Sequence, residues 1–258
     1  MAKPNSGVTA VKRWSWALIG MALFLLLWTM ASLRIGNAVL LPKPQSVLFG
    51  FIELLRDGSL LSDILASLRR VIGGFLIASA IAVPLALLMA FSRPVNLLLS
   101  PIVGFLRPIP PIAWIPIAIL WFGIGDPPSY FITALAAFFP IFINSFAGGN
   151  AVRPEHVHAA RSLGAGPRAL FARIYLPSAM PMIATGLRIG LGQSWMAVVT
   201  AELIAAQSGL GYMIQANRLS LETSLVLVGM CTIGLLGALM SVALEALERH
   251  VLIPWNQA

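Results

Sequence analysis

Few residues of this chain have the types and spacing that chemistry requires. His156 and His158 are two apart, which sets them on different faces of a helix, and no cysteine or acidic cluster joins them. A metal centre needs several convergent ligands, so no metal site is expected. The sequence has no G-x-x-x-x-G-K-[ST] loop to cradle ATP phosphates. Gly123-Ile124-Gly125 runs into Asp126-Pro127-Pro128 and lacks the third glycine and helix start of a dinucleotide loop. No serine, histidine and aspartate fall in a context that supports nucleophilic catalysis. The chain is expected not to be an enzyme by itself, and to bind no cofactor.

Charged and polar groups set within long apolar segments are the other candidates, because charge in lipid is costly and usually functional. Glu202, Arg188 and Arg107 stand in or beside such segments, together with Asn144, Gln193, Ser194 and Trp195. These seven are the candidates for lining a path across a membrane. Glu202 has two readings, bracing a gate or touching a solute. Arg107 and Arg188 would attract anions or snorkel to the membrane surface.

The elements that position these residues follow from composition. The chain is 59% hydrophobic and 10% charged, against about 25% charged in soluble domains. An integral membrane protein is expected, with the lipid bilayer as its surroundings. The net charge of +8 reads as Lys and Arg collected in cytoplasmic loops, because no basic face is interleaved with exposed aromatics; no nucleic-acid partner is expected. The single cysteine, Cys231, forms no intrachain disulfide.

Six apolar segments are long enough to span: 14–33, 68–91, 101–123, 129–148, 178–205 and 224–247. Backbone groups in lipid must be bonded internally, so the fold class is all-α, a polytopic bundle of six transmembrane helices. Residues 1–13 read as a cytoplasmic N-terminal segment and 14–258 as one transmembrane domain. The first span lacks a clear cleavage site and reads as a retained helix. With the N-terminus inside, eleven basic residues fall on the cytoplasmic side: Lys3, Lys12, Arg13, Arg93, Arg107, Arg153, Arg161, Arg168, Arg173, Arg188 and Arg249. Six fall outside: Arg34, Lys43, Arg56, Arg69, Arg70 and Arg218. Both termini are then cytoplasmic.

Leu41–Ser67 reads as the largest outer loop, with an interfacial helix opened by Pro44 and ended by Gly58. In the third span Pro101, Pro108, Pro110, Pro111 and Pro116 remove donors repeatedly. That is the pattern of a broken element lining a path, or of a proline-marked loop ahead of a helix. Gly186 and Gly190 sit one turn apart in the fifth span and allow close helix packing within the bundle.

Glu155–Pro181 is the longest polar, basic interval in the second half, and it lies inside by the charge rule. Pro154 opens a helix there, with Glu155 at its positive end. The helix ends near Gly164 to Gly166, and Pro167 starts a second short helix that runs to Leu176-Pro177. Such a helix pair suits docking into a groove of another protein, or packs on its own bundle.

The same residues resemble a known family. Ala159-Ala160, Gly164, Ile174 and Leu176-Pro177 have the spacing of the EAA signature of importer-type ABC transporter permeases, and Phe171 and Pro181 also fall where that family has them. The first signature position, usually Glu, is His158 here. The resemblance extends through Leu106-Arg107-Pro108-Ile109-Pro110, Leu120-Trp121-Phe122-Gly123, Ala201-Glu202-Leu203 and Ser208-Gly209-Leu210-Gly211, and points to the nitrate, taurine, aliphatic sulfonate and bicarbonate subfamily. It implies a type I ABC importer permease fold in a bacterial inner membrane. It also implies a second permease copy, written here as a homodimer, two ATP-binding cassette subunits that carry the ATP and Mg, and a substrate-binding protein. Coupling to the ATPase would lie at about 154–176, through Glu155, His158, Ala159, Ala160, Gly164, Phe171, Ile174, Leu176 and Pro177. The rival readings are a secondary carrier without an ATPase and a non-transporting scaffold.

Overall fold

A computed structural model describes residues 6–248. Lys3 and Arg249, both used for the orientation, lie outside the described residues, and nothing is described of the side chains of Lys12 and Arg13.

All regular elements among the described residues are helical. The first three are α1 (Ser6–Ile35), α2 (Pro44–Arg56) and α3 (Ser59–Phe91). Next come α4 (Arg93–Leu106), a short 3-10 turn at Pro111–Trp114, α5 (Ile115–Phe122) and α6 (Asp126–Asn150). The second half holds α7 (Pro154–Ser162), α8 (Pro167–Leu170), a π turn at Phe171–Tyr175 and α9 (Leu176–Ala205). It ends with α10 (Leu210–Leu219) and α11 (Thr223–Leu247). Four helices, at Leu18–Ile35, α3, α6 and α11, are each long and apolar enough to cross a membrane. Two bent pairs raise the number to six. Each of these six overlaps one of the six expected segments.

The structure corrects several boundaries. α3 starts at Ser59, well before residue 68, so the expected outer loop at 41–67 is mostly helix. No proline lies between Gly58 and Pro84, and Leu60 and Ser67 are buried, so packing extends the helix outward. The helix opened by Pro44 is present as α2, but it does more than lie on a surface. Val47 and Gly50 are buried, and Gly50 faces Leu225 and Val228 around α11. The corner between α2 and α3 is an Asx turn. Asp57 accepts the Ser59 hydroxyl at 2.7 Å and the Ser59 N–H at 2.9 Å, and these bonds hold its carboxyl below the usual range.

The third span is not one helix. α4 and the segment Pro111–Phe122 meet at 87°. Pro108, Pro110 and Pro111 remove three backbone donors within four residues, so the helical ladder fails there and the chain turns. Arg107 sits at this corner, exposed.

The core is the three-helix layer α3, α6 and α9, which pack through small residues. Ala78, Ala82 and Ala86 of α3 meet Ala137, Ile141 and Phe142 of α6. A Cβ on Gly190 of α9 would stand 2.7 Å from Cγ1 of Ile141, and one on Gly186 2.9 Å from Cβ of Asn144. Lipid supplies no hydrophobic force between helices, so this close backbone approach is what dispersion attraction requires. Gly186 and Gly190 thus pack within the bundle, as expected. Near the C-terminal end of α1, Trp28 Nε1 donates to the Pro42 carbonyl and the Ser32 hydroxyl to that of Leu41.

Candidate functional site

Two places carry the polar residues of interest, and α9 joins them. The first is the α7–α8 elbow. Pro154 sits in the first turn of α7, where its missing N–H costs nothing, and Glu155 follows at the positive end of the dipole. The helix closes with a Schellman motif. The Ala165 N–H donates to the Ala160 carbonyl at 3.0 Å and the Gly164 N–H to that of Arg161 at 2.9 Å. Gly164 takes φ +82°, which only glycine adopts cheaply. The signature spacing Ala160…Gly164 is therefore the geometry of one helix stop.

The second half of the elbow differs from expectation. Pro167 opens α8, but no break follows at Leu176-Pro177. The chain passes through the π turn at 171–175 straight into α9. A proline at 177 clashes with the carbonyl four residues back, and the wider π turn ahead of it removes that conflict. The second helix thus runs on into α9 without a loop.

The signature residues separate into two groups. Phe171, Ile174, Leu176 and Pro177 are half-buried. Phe171 and Leu176 pack around Leu87, Ala179 and Ile183, and Phe171 and Tyr175 meet the ring of Phe91 edge-on at 5.7 and 5.1 Å. They hold the elbow to α3. Glu155, His158, Ala159 and Gly164 are exposed, and Ala160 is half-buried beneath them. Arg161, Arg168 and Arg173 are exposed on the same element, so a complementary surface would be acidic. Leu163, which the sequence reading passed over, is 88% exposed at the tip. The signal for it was an apolar residue placed directly before the helix-stopping glycine.

The second place is a buried polar clasp at the far end of α9. Arg70 of α3 is buried and every guanidinium donor is engaged. Nη1 donates to Glu202 Oε1 and to the Ser208 carbonyl, both at 2.7 Å. Nε donates to Asp126 Oδ1 at 3.0 Å. Nη2 donates to Asp126 and, at 2.7 Å, to the Ser208 hydroxyl. Glu202 also accepts the Ser67 hydroxyl and the Gly211 N–H, each at 2.9 Å. The Ser67 oxygen in turn accepts the Leu210 N–H at 2.9 Å, and Asp63 accepts the Gly209 N–H at 2.8 Å. The clasp ties α3, α6, α9 and the start of α10 at one point. It also satisfies the backbone N–H groups at the 47° break before α10.

Arg70 was expected on the outer side beside Arg69 and was not among the candidate site residues. The available signal was a charge within an unbroken helical pattern, Ser67 to Val71, with no carboxylate three or four residues away on its own helix. Of the seven path candidates, the structure gathers no set around one open space. Glu202, Ser194 and Trp195 are buried within the chain, and the Ser194 hydroxyl donates back to the Gly190 carbonyl. Their side chains face protein in this conformation. Asn144 is half-buried and donates to the Pro140 carbonyl. Arg188 is exposed and paired with Glu248. Gln193 is exposed beside a crevice of about 230 Å³ that Ile112, Ala136, Met196 and Thr200 also line.

The geometry is that of an all-α membrane bundle with a basic elbow and broken spans, and comparison with known proteins gives its family. The chain belongs to the family described as binding-protein-dependent transport system inner membrane component, which it matches over residues 82–253. It is 43% identical over 221 residues to a probable ABC transporter permease protein of Brucella abortus, covering 86% of this chain and 88% of that protein. It is 37% identical over 258 residues to the taurine transport system permease protein of Escherichia coli, covering 95% and 94%. Its fold is that of a chain in an inward-facing structure of the MetNI methionine ABC transporter, with TM-score 0.65, 19% identity, and coverage of 74% of this chain and 94% of that one. The resemblance read from the signature residues is thereby confirmed, and the chain is a membrane transport subunit.

Proposed function

We propose that this chain is the permease subunit of an ATP-driven importer that moves a small anion, with aliphatic sulfonates such as taurine as the first class to test. The relative named for taurine, similar along nearly its whole length, supports that class. One transmembrane domain pairs with a second copy, with both termini in the cytoplasm. Solute arrives from a substrate-binding protein, and ATP and Mg sit on the partner ATPase subunits.

The observation that carries the proposal is the elbow. Its exposed face offers Leu163, Ala159 and a set of arginines, its inner face is pinned on Phe91, and it continues without a hinge into α9. A groove that grips Leu163 moves the elbow, and the elbow moves α9. That helix has 30 residues, a shaft of about 45 Å from the elbow to the clasp. Coupling of this kind needs a rigid element and two arrangements of its far end.

The test is co-purification. Tagged chain in mild detergent should bring down an ATPase subunit, and taurine uptake should stop when that ATPase is inactivated. Uptake that survives ATPase inactivation and collapses without an ion gradient would establish a secondary carrier instead. Recovery of the chain with no ATPase subunit and no uptake would leave the scaffold reading.

A further inference from the structure

The two arms of the clasp are unlike. The Glu202 side chain is 0% exposed and that of Arg70 1%, whereas that of Asp126 is 61% exposed. Separating Arg70 from Glu202 strands a carboxylate among buried groups, which is costly. Separating Arg70 from Asp126 returns the exposed Asp126 carboxylate to solvent and frees Nε and one Nη2 N–H of Arg70, a smaller cost than a stranded buried carboxylate, while Nη1 and the other Nη2 N–H keep Glu202 and Ser208. The cheaper arm is also the one at a glycine-linked corner, where α5 packs on α6 through the rings of Trp121, Phe122 and Phe131. Asp126 opens α6 directly after Gly123 (φ +80°) and Gly125 (φ +132°), which link it to α5. α5 buries Ile115 and Ala118 but leaves Leu120, at 83%, Trp121 and Phe122 exposed. The 3-10 turn that leads into α5 supplies Ile112 to the crevice beside Gln193.

We infer that the Arg70–Asp126 pair is a releasable latch. Closed, it holds the α5–α6 corner against the α3–α9–α10 scaffold. Open, it frees α5 to shift, and the crevice beside Gln193 changes width, while Arg70 stays on Glu202. Asp126 is a positioning residue in this scheme, acting through the corner and not on a solute. The consequence, movement of a path wall, rests on the transport reading; the latch itself is measurable without transport.

The experiment places spin labels at Leu61→Cys and Ile124→Cys in the full chain carrying Cys231→Ser, and reads their distance distribution in detergent. Asp126→Asn should raise the population at a displaced distance about fivefold or more, the lower end of coupling between two-state elements. Asp126→Glu should restore the parental distribution. The thermal midpoint of Asp126→Asn should stay near that of the parent, while Glu202→Gln lowers it clearly. An unchanged distribution in Asp126→Asn overturns the latch. So does a loss of thermal stability in Asp126→Asn equal to that of Glu202→Gln, or a failure to fold, since either makes both arms structural. Loss of both ATPase co-purification and solute uptake would sink the transport reading and leave this distance measurement standing.

Discussion

A Cβ on Gly209 would stand 2.5 Å from Oε1 of Glu202, so the loop that breaks α9 from α10 is moulded directly onto the buried carboxylate. Gly209 takes φ +104° and ψ 166°, a region open only to glycine. Gly209→Ala should therefore cost about 2–4 kcal/mol, combining backbone strain with overpacking. The thermal midpoint in detergent checks this; a midpoint equal to that of the parent would contradict the described loop.

Glu202→Gln keeps the shape and removes the charge opposite Arg70. The amide also turns a donor toward a group that donates, either the Gly211 N–H or Nη1 of Arg70. Destabilisation of about 3–5 kcal/mol is expected, the range for breaking one partner of a buried pair. The readout is thermal unfolding of purified chain.

Leu163 is exposed at the elbow tip of the chain, so Leu163→Ser should leave the stability of the chain within about 0.5 kcal/mol. It should nonetheless weaken ATPase association about tenfold or more, as loss of an apolar anchor does. A pull-down titration measures this. Undiminished association would show that the tip is not the gripped point. Gly164→Arg, by contrast, acts through the backbone: a Cβ there meets open space, but φ +82° is strained for any side chain.

Leu221 is the one non-glycine residue with positive φ among those described, at +59°, and it occupies the left-handed position of the Schellman stop of α10. Leu221→Gly should stabilise the chain by about 1 kcal/mol through relief of that strain. A lower midpoint would mean that the Leu221 side chain makes a contact worth more than the strain.

Gly186 and Gly192 share a helix and face different neighbours. A Cβ at 186 meets Asn144 and Ile141, while one at 192 meets nothing within 4 Å. Gly186→Ala should destabilise by about 1–3 kcal/mol, and Gly192→Ala should stabilise by about 0.5–1 kcal/mol. Comparing the two midpoints tests the α6–α9 packing.

Much of this protein was determined locally and could be read from residues alone. Apolar runs of spanning length specify membrane helices because lipid leaves the backbone no other partner. Pro108, Pro110 and Pro111 specify a break because each lacks an N–H. Gly164 specifies a helix stop because its φ is left-handed. Tertiary structure decided the rest. Whether Leu176-Pro177 ended a helix depended on a π turn that periodicity does not reveal. Which signature residues faced out depended on Phe91, far away in the chain. Glu202 was legible as a costly charge, but its partner Arg70 lies 132 positions away on another helix. A charge announces by its neighbours that it must be paired; only the approach of α3, α6 and α9 determines with what, because pairing in low dielectric depends on distance in space and not along the chain.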